Sequence, residues 1–174
     1  WTQINTGSAV SPMFEKTTVD MLGRTIKVEK PGFLGTEVTQ HFYNNLGLLV
    51  KTTQSPQGDV LYEYDALGRQ IRSGLDVDGN GVLGLSSLDR VNDSDTTFEN
   101  LSGPWWEQTI QKVYATDNSA TATTTSTQRR RINGLGPAGL AEEIVSIDIN
   151  NNQTTAKTFI DRTTKTETRT VDEP

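Results

Sequence analysis

Tyr62–Arg72 reads Tyr-Glu-Tyr-Asp-Ala-Leu-Gly-Arg-Gln-Ile-Arg, and its grammar is a strand, a tight reversal and a returning strand. Asp65 can accept hydrogen bonds from backbone amides two or three residues ahead, and Gly68 can take the positive φ that a Cβ would penalise. Beyond the reversal Ile71 stands between Gln70 and Arg72, the period-two alternation of a strand with one apolar face.

The phrase recurs. Val19–Val28 reads VDMLGRTIKV, with Asp20, Gly23 and Arg24 in the places of Asp65, Gly68 and Arg69. Phe42–Val50 reads FYNNLGLLV, with Asn44 and Gly47 in those places. Successive Asp or Asn positions lie 24 and 21 residues apart, a spacing of two strands and two turns and within the range of repeat architectures. A reduced fourth copy, Asn133-Gly134-Leu135-Gly136, keeps the turn residues but has Pro137 where Arg is expected. Alternation returns at Val145, Ile147 and Ile149 and runs into a DINNN turn at Asp148–Asn152.

These units resemble the YD or RHS repeats of large bacterial surface and toxin proteins and of animal teneurins. The match is full at Tyr62–Arg72; Val19 replaces the aromatic of the first copy, and Leu48 replaces the Arg of the second. The resemblance implies tandem β-hairpins winding into a shell, an exported bacterial protein located outside the cell or on its surface, and a structural role beside adjacent repeats of a longer polypeptide.

Composition narrows the partners. A net charge of -6 argues against nucleic acid, whose phosphates require accumulated Lys and Arg. The one dense basic run, Arg129-Arg130-Arg131, alternates faces on a strand and reads as solvated or paired with Glu142 and Glu143. No run approaches the roughly 20 apolar residues of a membrane helix, so membrane insertion is not expected. With no Cys and a single histidine, His41, cysteine-ligated metals and Ser/Cys–His nucleophilic centres have no support, and no enzymatic activity is expected. Trp1 in place of an initiator Met suggests a piece of a longer chain.

Strands are expected at Met13–Val19, Thr25–Lys30, Glu37–Tyr43, Leu48–Thr53, Val60–Tyr64, Arg69–Ser73, Trp105–Thr116, Thr121–Ile132, Leu140–Ile149, Thr154–Asp161 and Thr163–Val171, after an irregular lead-in over Trp1–Pro12. Pro31-Gly32 and Ser55–Gly58 are expected as breaks. The Thr-rich run TATTTST at Thr121–Thr127 reads as a polar strand rather than a linker, since Thr is β-branched. From Gly74 to Pro104 the rhythm fails in favour of Asp, Asn, Ser and Gly, an insertion with a short helical turn near Ser86–Val91. The expected fold is all-β: one domain over residues 1–174, successive antiparallel hairpins forming a curved sheet or a section of β-shell, with the 74–104 insertion within it.

That insertion carries the sharpest chemical pattern. Asp76-Val77-Asp78-Gly79-Asn80-Gly81-Val82 has oxygen donors at relative positions one, three and five and Gly at six, the opening of a calcium loop. Asp76, Asp78 and Asn80 would give side-chain oxygens and Val82 its carbonyl. Ser87 stands where the loop's closing Glu is expected, so Asp89, or else Asp93 or Asp95, would complete a structural Ca²⁺ site. The alternative is an Asx-rich turn without an ion. Trp105-Trp106 raises a second use, since flat aromatic faces can stack on sugar rings. Neighbouring strand residues point to opposite faces, so one Trp at most serves such a carbohydrate- or surface-partner-binding module and packing is the preferred reading of the pair.

Overall fold

The computed structural model describes residues 2–5 (backbone only), 13–33, 35–54, 57–132 and 139–173. The fourth repeat copy at 133–137 and residues Ser55 and Pro56 of the expected Ser55–Gly58 break lie outside the described residues, while Gln57 and Gly58 of that break open a strand instead. Within them the chain is all-β, with thirteen strands and no helix, hence none long and apolar enough to cross a membrane.

The strands are β1 Thr2–Asn5, β2 Phe14–Val19, β3 Thr25–Gly32, β4 Gly35–Tyr43, β5 Leu49–Gln54, β6 Gln57–Tyr64, β7 Gln70–Asp76, β8 Arg90–Asn100, β9 Trp105–Tyr114, β10 Thr123–Arg131, β11 Leu140–Asp148, β12 Gln153–Asp161 and β13 Thr166–Asp172. Hydrogen-bonded order follows chain order and does not close. The chain divides into two compact units, residues 1–91 with 115–120, and residues 92–114 with 121–174.

In the first unit β1 to β7 pair antiparallel in sequence, with registers such as Val28 opposite Thr39, Thr52 opposite Val60 and Leu61 opposite Gly74. One turn geometry builds β2–β3, β4–β5 and β6–β7. At Asp65 the amides of Leu67 and Arg69 each donate to Oδ1 at 2.9 Å, Gly68 N donates to the Asp65 carbonyl at 3.0 Å, and Asp65 N donates to the Arg69 carbonyl at 2.9 Å. Asp20 and Asn44 accept the same pairs of amides at 2.9–3.0 Å. Gly23, Gly47 and Gly68 sit at φ 79°, 81° and 79°, where only a residue without Cβ is unstrained. Arg24 and Arg69 close their turns by donating Nε to the Asp Oδ2 at 2.7 Å, a bond that Asn44 and Leu48 lack the chemistry to make.

The tyrosine before each later turn ties repeat to repeat. Tyr43 donates its hydroxyl to the carbonyl of Thr25 at 2.8 Å, and Tyr64 to that of Leu49 at 2.7 Å; each acceptor is the first strand residue after the preceding turn. The Arg24 guanidinium lies 4.5 Å from the Tyr43 ring centre, close enough for a cation–π contact. Val19 has no hydroxyl, so the first copy cannot make the tie.

The second unit repeats the turn with other residues. Between β11 and β12 Asp148 Oδ1 accepts the amides of Asn150 and Asn152 at 2.8 Å, while Asn152 Nδ2 donates to Oδ2 at 2.9 Å in the place of the arginine. Asn151 takes the glycine position at φ 65°, which asparagine tolerates better than other side chains. The arginine run is paired: Arg130 with Glu107 at 2.7 Å and Arg131 with Glu143 at 2.8 Å. Arg129 Nε lies 3.2 Å from Glu99 Oε1, yet its N–H is directed at Gln108 Oε1 at 2.6 Å, so Glu99 receives charge proximity rather than a hydrogen bond.

Several expectations are revised. Residues 90–100 form β8 rather than irregular insertion, because Val91, Thr96, Thr97 and Phe98 suit a strand despite the surrounding Asp and Asn. The stretch Ser86–Val91 makes a turn and a strand start, not a helical turn, and Pro31-Gly32 ends β3 paired with Thr36 and Gly35 instead of breaking before it. Thr2–Asn5 within the lead-in forms β1 against β2.

Candidate metal centre

Burial in the first unit concentrates where the loop 77–89 meets β6 and β7. Leu61, Leu83 and Val91 are its buried apolar side chains among the described residues, and Asp76 and Asp89 are buried with them, 3% and 4% exposed. Gly74 explains the close approach. A Cβ there would lie 2.5 Å from the Arg90 carbonyl oxygen and 3.1 Å from both Leu83 Cδ2 and Val91 Cα. The β9–β10 connection also reaches this region, Asn118 N donating to the Ser87 carbonyl at 2.8 Å and Asp117 pairing with Arg90 at 2.7 Å.

Two buried carboxylates are tolerable only if their oxygens find donors. Asp76 Oδ1 accepts from Asn80 N at 3.1 Å and its Oδ2 from Gly81 N at 2.8 Å. Asp89 Oδ1 accepts from Val77 N and its Oδ2 from Gly84 N, both at 2.8 Å, so one side chain clamps the two ends of the loop. Burial works to raise the Asp89 pKa, but the amides of Gly84 and Val77, with the Ser87 hydroxyl and the Asp78 amide, together hold the carboxyl below its ordinary value.

Asp76, Asp78 and Asp89 come together, with one oxygen from each within 4.8 Å of the others. Each bonded oxygen has a second lone pair, so the cluster can hold a metal ion, and an all-oxygen donor set suits a hard divalent cation. Asn80 sits between these groups, with Nδ2 donating to Asp78 Oδ2 at 2.9 Å and Oδ1 accepting from Val82 N at 2.8 Å. Val82 shows that amide contact and an exposed side chain. Ser87 turns its hydroxyl to the Gly84 carbonyl at 2.8 Å. Asp93 and Asp95 fall on β8, in the other unit. Of the three candidates to close the loop, Asp89 is the one brought to the cluster. Sequence spacing missed Leu83 and Gly74, whose signal was the GVLGL run after the Asp-rich stretch and a glycine at the end of an otherwise regular strand.

In the second unit Trp106 is buried, 9% exposed, with the Arg131 guanidinium 5.9 Å from its ring centre and no partner for its indole N–H among the described residues; Trp105 is 44% exposed. His41 is a half-buried strand residue whose Nδ1 lies 3.2 Å from Thr52 Oγ1. No family model and no curated protein matches this chain.

Proposed function

We propose that the chain is a structural segment of YD/RHS-repeat type, non-catalytic and belonging to a larger exported bacterial protein, in which a Ca²⁺ ion held by Asp76, Asp78 and Asp89 orders the loop between β7 and β8. The observation that carries this reading is the repetition of one turn, with the same amide bonds to the Asp or Asn side-chain oxygen, at Asp20, Asn44 and Asp65, linked by Tyr43 and Tyr64. Such units cannot cover their own apolar faces and gain stability from neighbours, which fits a part that spaces or encloses rather than reacts. Calcium fits the centre because its flexible, many-oxygen coordination tolerates mixed carboxylate and carbonyl donors, and Asn80 and Val82 lie beside the cluster to complete it.

The test is a calcium titration followed by thermal melting. A rise in Tm that disappears in Asp78→Ala supports the ion, and an unchanged melt removes it. A glycan-binding reading is favoured only by the exposed face of Trp105. Saturable binding to a polysaccharide that is lost in Trp105→Ala would replace the architectural reading.

A further inference from the structure

We propose that Asn80-Gly81 is a self-modifying site, at which the chain converts its own asparagine through a cyclic imide to aspartate or isoaspartate. Asn80 is the only asparagine among the described residues that precedes a glycine. Glycine matters because the attacking atom is its backbone nitrogen. Gly81 has no side chain to shield that nitrogen, and the space beside its Cα is empty out to 4 Å apart from the neighbouring residues.

The surrounding hydrogen bonds match the demands of the reaction. Gly81 N, the nucleophile, donates its proton to Asp76 Oδ2 at 2.8 Å, and Asp76 is 3% exposed, so a desolvated carboxylate already faces the proton that must leave. Asn80 Cγ is the electrophile, and its Oδ1 receives the Val82 N–H at 2.8 Å, a donor aimed at the oxygen on which negative charge develops. The leaving amide nitrogen, Asn80 Nδ2, is held 2.9 Å from Asp78 Oδ2.

In the first step the Gly81 N–Cγ bond forms, the Cγ–Nδ2 bond breaks, the Gly81 amide proton passes to Asp76, and the departing nitrogen takes a proton from water, to which Asp76 releases the one it received, and leaves as ammonia. Water then opens the imide at either carbonyl, giving aspartate or isoaspartate at position 80. Holding nucleophile, proton acceptor and oxyanion donor in one loop removes much of the entropic cost that the reaction bears in a free chain. Resting on the calcium reading above, the aspartate product would add a carboxylate at the fifth position of the cation loop, whereas the isoaspartate product would lengthen the loop backbone there.

The full chain and a synthetic peptide of residues 74–89 are incubated side by side at neutral pH without added metal. Conversion at position 80 is followed by peptide mapping with isoaspartate-specific methylation. The folded chain should convert at least about 10-fold faster than the peptide, a conservative share of the roughly 10²–10⁴ that a positioned base contributes. A rate equal to or below the peptide's overturns the proposal. Asp76→Asn, with circular dichroism matching the parent, should fall towards the peptide rate; an unchanged rate in that folded variant overturns it as well. Should Asp76→Asn fail to fold, the comparison of chain with peptide decides alone. The readout is a mass change at a mapped residue in metal-free buffer, so it holds whether or not the loop binds calcium.

Discussion

Gly74→Ala probes the packing of the 77–89 loop against β7. The added methyl would stand 2.5 Å from the Arg90 carbonyl oxygen, with Leu83 Cδ2 and Val91 Cα each at 3.1 Å. Two of these three neighbours are backbone and cannot rotate away, so β7 and the start of β8 must separate by roughly 0.5–1 Å in a close-packed region. Overpacking of this kind costs about 1–3 kcal/mol, against which alanine recovers about 0.4–1 kcal/mol by restricting the unfolded chain. The net expectation is a loss of about 1–2 kcal/mol. With a urea dependence of about 1–3 kcal/mol/M, the unfolding midpoint should fall by roughly 0.5–1 M. Gly32→Ala is the control. The three atoms nearest its methyl all belong to the Glu37 side chain, which is partly exposed and can re-orient without moving backbone, so the change should cost less than Gly74→Ala. Urea titrations followed by far-ultraviolet circular dichroism compare the two. A Gly74→Ala chain as stable as the parent would refute the close approach of the loop.

Three further outcomes follow from the same geometry. Tyr64→Phe removes the hydroxyl that donates to the Leu49 carbonyl at 2.7 Å and should cost about 1 kcal/mol, a fall in Tm of about 2–4 °C by calorimetry; no change would show that the tie between repeats is not stabilising. Calcium at a hundredfold excess over its Kd should add about 2.7 kcal/mol, a rise of roughly 5–10 °C that Asp78→Ala abolishes. Asp20, Asp65, Asp89, Asp148 and Asp161 all have carboxyls held below their ordinary pKa. For Asp65 the Arg69 amide and guanidinium are the leading causes, and for Asp148 the Asn152 side chain and amide. A depressed folded-state pKa gives stability that is fully present above about pH 4 and is lost as pH falls through the folded-state values. Melting temperatures should therefore drop on acidification below about pH 4, and a rise there would contradict the bonds assigned to these aspartates.

Most of the strands and three of the reversals were legible because their determinants are local. Asp or Asn fixes the turn through its own next few amides, Gly supplies the positive φ, and alternation marks the faces on either side. The turn at Asp148 was legible as a turn from its DINNN run, but its identity with the others was hidden: Asn151 replaces glycine in the left-handed region and Asn152 replaces arginine on Oδ2, substitutions equivalent only in hydrogen bonding. β8 was missed because its sequence, RVNDSDTTFEN, has few apolar residues and no period-two alternation, so that only Val91, Thr96, Thr97 and Phe98 speak for a strand. At the candidate centre Asp76 and Asp78 followed from spacing. The choice of Asp89 over Asp93 and Asp95 did not, because it depends on the loop folding back so that one carboxylate meets both Val77 N and Gly84 N.

Strands paired only with their neighbours in sequence, joined by one repeated turn, underlie both the fold and its proposed role. Cross-strand nuclear Overhauser contacts in the labelled chain test this most directly. The expected set joins Val28 with Thr39, Thr52 with Val60, Leu61 with Gly74 and Ile144 with Ala156. Contacts linking strands distant in sequence, such as β2 with β5, or helical contacts through Asp20, Asn44 or Asp65, would contradict it.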